Sequence, residues 1–209
     1  MARRKDQEAR RAQLAEAVER AVLTRGIDGL RLRDVAQEAG LTPAAVLYYY
    51  EDLDDLTTGT FQQAIERFCA EREAASERFA DARDRLRACV DAGVATGPDD
   101  RLPRLLFEFW PRSLRDPRVA ALDSTLAERQ IAVYYGILVL GREQGHFVID
   151  EPPRVVAASL VAMEDGFQTE ILAGRRTRAE VVSALHSYVR AVTGCDLDAE
   201  RGAEDGSGT

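Results

Sequence analysis

The sequence predicts an all-α protein, with an N-terminal three-helix helix-turn-helix domain followed by a C-terminal helical bundle, about nine helices in all. Three observations predict this. Apolar residues recur at helical spacing almost throughout, and no segment reads as a strand pair. Residues 33–50, Arg33-Asp-Val-Ala-Gln-Glu-Ala-Gly-Leu-Thr-Pro-Ala-Ala-Val-Leu-Tyr-Tyr-Tyr50, carry the small, turn and aliphatic positions of two short helices crossing near a right angle. Glycine or proline stands where most of the helical patterns stop.

In chain order, a first helix of about 6–25 has Leu14, Val18, Ala21 and Val22 on one face and ends before Gly26. Helices of about 32–39 and 43–49 form the motif. Ala36 is small enough for a close crossing, and Val46 plugs the angle. Gly40 supplies the left-handed turn that a side chain would penalise. Thr42 caps the second motif helix, and Pro43 sits where its missing N–H costs nothing. A long helix of about 53–79 follows, striped with Leu56, Phe61, Ile65 and Phe68. The next covers about 82–95, stopping at Gly97-Pro98. Helix 102–109 is interrupted at Pro111, and Asp116-Pro117 opens a helix to about Glu143. Gly145 to Pro153 reads as a loop. Two last helices, about 153–172 and 178–193, close at Gly174 and Gly194. The expected division is 1–52 for the helix-turn-helix, 53–194 for a larger helical domain, and 195–209 as a disordered polar tail.

Hydrophobic residues make up 45% of the chain and charged residues 31%, an ordinary globular balance. No apolar run reaches the roughly 18 residues of a membrane span. The basic start MARRKDQEARR has no apolar signal core behind it, so a cytoplasmic protein with no membrane contact is expected. Cys69, Cys89 and Cys195 lack metal-binding spacing and read as buried apolar residues, so no metal site is expected. The net charge of −8 is unevenly spread: residues 1–50 hold nine Lys/Arg against seven Asp/Glu, the remainder nineteen against twenty-nine. Arg3, Arg4, Lys5, Arg10 and Arg11 form a basic arm that suits phosphate contact from one end of the molecule. There is no nucleophile elbow, Walker loop, H-E-x-x-H or Gly-rich dinucleotide turn, so neither catalysis nor a cofactor is expected.

The run G-L-T-P-A-A-V-L-Y-Y-Y-E-D-L-D-D-L, residues 40–56, resembles the tetracycline-repressor (TetR) family; with Gly26 and Arg33–Ala36 the likeness covers about residues 10–56. The segment Glu164–Gly174 resembles the C-terminal region of a subgroup that includes choline-responsive repressors. Three positions depart from the family pattern. Leu47 replaces the usual aromatic, Arg31 the usual Ser/Thr cap, and Leu53 the usual basic residue of the following turn. The resemblance implies a homodimeric regulator that binds a palindromic double-stranded operator and is released from it by a small-molecule effector.

Under that geometry Thr42, Pro43, Ala44 and Ala45 face base edges; Leu47 belongs to the same surface, and Tyr48 and Tyr49 reach phosphates. Arg31 and Arg33 are further phosphate candidates, whereas Tyr50 falls on the inner face. Phe107, Trp110, Tyr134 and Phe167 are candidate effector contacts, Trp110 because it sits beside the Pro111 break. Glu108, Glu164 and Asp165 are expected to be solvated acids, though one turned inward would favour a cationic ligand. Isolated His146 and His186 read as surface or packing residues. The last two helices are apolar on more than one face (Val156, Leu160, Met163, Phe167 and Ile171, with Ala157, Val161 and Ala162 beside them, and Leu185 in the final helix), which implies a two-fold contact. Two other readings stay open: a ligand-independent or architectural DNA-binding regulator, and a helical enzyme or protein-binding module containing a helix-turn-helix-like pair.

Overall fold

A computed structural model of the chain describes residues 2–199, with side chains described from Gln7 onward except Glu8. Among these residues there are nine helices and no strand: α1 Ala2–Arg25, α2 Leu32–Ala39, α3 Pro43–Val46, α4 Leu53–Glu77, α5 Ala82–Gly93, α6 Arg101–Ser113, α7 Pro117–Glu143, α8 Pro153–Leu172 and α9 Arg178–Thr193. The chain forms two compact units. The first comprises residues up to Arg67 together with Arg101–Ser124; the second comprises Phe68–Asp100 and the chain from Thr125 onward.

The first unit is built around the buried faces of α1 and α4. Leu14, Val18, Ala21 and Val22 are all buried, as are Leu56, Phe61 and Ile65. Phe61 stacks on Phe109 of α6 with ring centroids 4.6 Å apart. Helix α6 continues through Pro111 to Ser113, which corrects the expected break. A proline removes one i→i−4 hydrogen bond, and here the helix ends two residues later, so the loss stays inside its last turn. Conversely, α3 is shorter than expected. It stops at Val46, and Leu47–Tyr49 continue as turns.

The second unit has a core of Leu86, Val90, Leu138, Leu160, Ile171, Leu185 and Val189 among others, drawn from α5, α7, α8 and α9. Gly141 is required on α7, because a Cβ there would collide with the ring of Phe147. Thr177 and Glu180 close a capping box at the start of α9, each satisfying the other's backbone N–H. The expected tail at 195–209 is corrected at its start. Cys195 and Leu197 are buried, and the Leu197 carbonyl accepts from Arg87 Nε at 2.7 Å. An apolar side chain with a place in the core keeps the segment folded. Residues 200–209, the remainder of that expectation, lie outside the described residues.

Candidate nucleic-acid interface and a buried charge cluster

The helix-turn-helix is assembled by the three positions singled out in the sequence. Ala36 and Val46 are buried, and Gly40 takes φ +66°, where its N–H and that of Leu41 return to carbonyls of α2. Thr42 Oγ1 accepts from the Ala45 N–H at 3.2 Å, capping α3. At the start of α2, where Arg31 offers no capping oxygen, Asp34 reaches back instead and accepts from the Arg31 N–H at 3.0 Å. Arg31 and Arg33 are thereby left exposed.

Thr42, Pro43 and Ala44 are exposed and Ala45 is half-buried. Leu47 and Tyr48 are also exposed, Tyr48 at 68%, a high value for a large apolar ring. Tyr49 meets Tyr48 edge-on with centroids 5.0 Å apart, and its carbonyl accepts from Arg11. Tyr50 turns inward and is buried, as its place on the inner face requires; the Arg11 guanidinium lies 5.3 Å from its ring centre. Burial raises the Tyr50 hydroxyl above its ordinary pKa, with Arg11 pulling the other way. Arg3, Arg4 and Lys5 of the basic arm lie outside the described side chains.

The effector candidates fall into both units. Phe107 and Trp110 meet edge-on in the first, 5.2 Å apart, and Trp110 is exposed. Tyr134 and Phe167 belong to the second. Phe167 is half-buried beneath Arg176, 5.7 Å from its ring centre. Tyr134 is fully buried, and its hydroxyl donates to Glu164.

Glu164 corrects the expectation of a solvated acid. It is only 4% exposed, and Arg72 Nη2 donates to its two oxygens at 2.8 and 2.6 Å. Arg72, itself 1% exposed, also donates to Gln130 and, through Nε, to Cys89 Sγ at 3.2 Å; its guanidinium lies 4.7 Å from the Tyr134 ring centre. Burial opposes the charge on Arg72, but Cys89, Glu164 and Tyr134 around it hold its pKa well above the ordinary value. Burial likewise pushes up the Glu164 carboxyl, against the pull of Arg72 and the Tyr134 hydroxyl. Gly93 makes the pair possible, since a Cβ there would lie 2.8 Å from both Arg72 Cζ and Glu164 Oε1. The other acid of that group in the first unit, Glu108, is half-buried and accepts from the Ile27 N–H at 3.2 Å.

His186 is buried with Nδ1 2.8 Å from Asp198, while its Nε2 has no hydrogen-bond partner among the described residues. His146 Nε2 lies 3.4 Å from Asp81. Leu185, read from sequence as a dimer-interface position, is fully buried in the core of its own chain, as are Ala157 and Val161. The apolar positions of α8 left exposed are Val155 and Ala162.

The family model of the BetI-type transcriptional repressor C-terminal domain matches residues 82–194, more than half of the chain. The chain belongs to the TetR family of transcriptional regulators. The HTH-type transcriptional regulator BetI of Burkholderia mallei is 32% identical over 127 residues, covering 58% of this TetR-family chain and 64% of its relative. The BetI regulator of Burkholderia thailandensis is 29% identical over 167 residues, 76% of this chain and 80% of its own. The chain thus spans a little under two thirds of the first of these relatives. Among solved structures, a transcriptional regulator of Saccharomonospora viridis in complex with choline superposes with TM-score 0.81 at 24% identity, covering 89% of this chain and 98% of its own, a likeness of fold.

Arg72, Gln130 and Cys89 were not legible as site residues from motif reasoning. The signal for Arg72 was in the helical phase: it continues the stripe Phe61, Ile65, Phe68 at spacings of four, three and four. A charge on such a stripe requires a buried partner.

Proposed function

We propose that this TetR-family chain is a DNA-binding transcriptional repressor, acting as a homodimer and released from a palindromic operator by a small molecule. The observation that carries the reading is the exposed surface of α3 and the turn after it. Leu47 and Tyr48 face solvent there, beside a capped helix and two exposed arginines. Large apolar groups at a helix-turn-helix surface suit base edges and sugar–phosphate contact better than water. Dimerisation is assigned to α8 and α9, and the functional domains to residues 1–52 and 53–194. Two recognition helices about 34–36 Å apart enter successive major grooves. An effector that prefers a dimer of another spacing draws the population off DNA.

Phe107 and Trp110 in the first unit, and separately Tyr134 and Phe167 in the second, are the proposed effector contacts. The S. viridis neighbour binds choline, a quaternary ammonium. In this chain Glu164 is already neutralised by Arg72, and Arg72 and Arg176 lie over the Tyr134 and Phe167 rings, so affinity for such a cation would come from the exposed Trp110 rather than from that carboxylate.

The test is selection of bound fragments from genomic DNA by the full chain at low salt, followed by titration of compounds suggested by the neighbouring genes, choline first. A compound that changes the emission of the single tryptophan, Trp110, should release the operator over the same concentration range. Recovery of no sequence above background would overturn the DNA-binding reading. An effector bound equally by free and DNA-bound protein would overturn the switch.

A further inference from the structure

We infer that the operator is read through the C5 methyl groups of thymine, with Ala44 meeting one of them. This rests on the DNA-binding reading above and specifies what that surface recognises. From Thr42 to Tyr48 the side chains that face solvent are Thr42, Pro43, Ala44, Leu47 and Tyr48, with Ala45 half-exposed. None carries an amide, carboxylate, ammonium or guanidinium. The bidentate pairings that identify guanine and adenine, and the carboxylate that identifies cytosine, are therefore absent from this surface. Gln37, an exposed amide, belongs to α2.

What remains is shape and apolar contact. Thr42 Oγ1 already accepts from the Ala45 N–H, which leaves its hydroxyl one donation and one lone pair, and neither singles out one base. Pro43 and Ala44 project so little that the α3 backbone can approach the groove floor closely. At that range the apolar group presented by a base edge in the major groove is the thymine methyl. Leu47 and Tyr48, exposed beside them, extend the apolar contact. Phosphate positioning falls to Arg31, Arg33 and the tyrosine hydroxyls.

The experiment uses the full chain and a random-sequence duplex library made with thymine. Selected duplexes are then remade with uracil, which removes only the methyl groups, and titrated against the wild type and Ala44→Gly. The substitution is at an exposed position, and circular dichroism verifies the fold. The expected result is a thymine-containing consensus and an affinity loss of about fourfold for each contacted methyl removed, the worth of burying one such group. One of those thymines should lose its methyl sensitivity in Ala44→Gly. Equal binding of thymine and uracil duplexes, or a uracil effect unchanged in Ala44→Gly, would overturn the methyl reading and leave DNA binding intact. No enriched sequence would overturn DNA binding itself.

Discussion

Glu108 of α6 holds the chain where α1 ends: its Oε2 accepts from the Ile27 N–H at 3.2 Å, immediately after Gly26 at φ +76°. A half-buried N–H at a turn has few other partners, so the carboxylate secures the connection between α1 and α2. Glu108→Ala is expected to lower unfolding stability by about 1–2 kcal/mol, the cost of leaving that donor unsatisfied. Glu108→Gln, which keeps an acceptor oxygen, should recover most of it. Urea denaturation of the three proteins decides, and equal midpoints would show that water replaces the contact at no cost.

Breaking the Arg72–Glu164 pair from one side should be severe. Arg72→Met leaves a buried carboxylate uncompensated, and a loss of about 3–5 kcal/mol is expected. Replacing both, as Arg72→Met with Glu164→Leu, should restore much of it, because apolar packing substitutes well for a buried pair. Calorimetry of both singles and the double gives the coupling; additive losses would show that the two side chains act independently.

Tyr48→Phe removes a hydroxyl proposed to meet phosphate. Affinity should fall by about 1 kcal/mol for every DNA sequence alike, since a backbone contact carries no base information. A changed consensus in selection experiments would instead assign Tyr48 to base reading.

The N-cap of α5 makes part of the stability acid-sensitive. Hydrogen bonds from the Arg83 side chain and backbone, with His146 nearby, lower the Asp81 pKa from 3.8 to about 2. A carboxyl depressed in the folded state contributes stability that is full above its unfolded value and is lost as pH falls through about 2. Asp81→Ala should therefore cost about 1–2 kcal/mol at pH 6, partly through the cap, with the gap to wild type closing between pH 4 and 2. A gap independent of pH would show that the charge contributes nothing.

A test of the proposed dimer has to avoid Leu185, because charge there would unfold the chain's own core whether or not an interface exists. Ala162 is exposed on α8. Ala162→Arg should leave helicity intact and shift sedimentation from dimer to monomer. A dimer that survives the change would place the two-fold contact away from this face.

Capping chemistry explains how much of the fold was legible. Gly40 after α2, Pro117 at the start of α7 and Gly194 after α9 each fix a boundary by backbone geometry that few other residues supply, and those helices begin or end as expected. Pro111 misled because a proline's effect depends on how much helix remains beyond it, which residue identity does not reveal. At the proposed DNA-binding surface, Thr42 as a cap and Tyr50 as a core residue were readable from local phase. The burial of Glu164 was not, since it depends on a partner 92 positions earlier in the chain.

The burial of Leu197 has a practical side. Together with the Arg87 hydrogen bond to its carbonyl and the approach of Asp198 to His186, it makes residues 195–199 part of the packed body. A protein shortened to Gly194 would open a hole the size of a leucine side chain and strip His186 of its acceptor. Trimming for crystallisation, or joining a reporter domain, should therefore leave residues 195–199 in place.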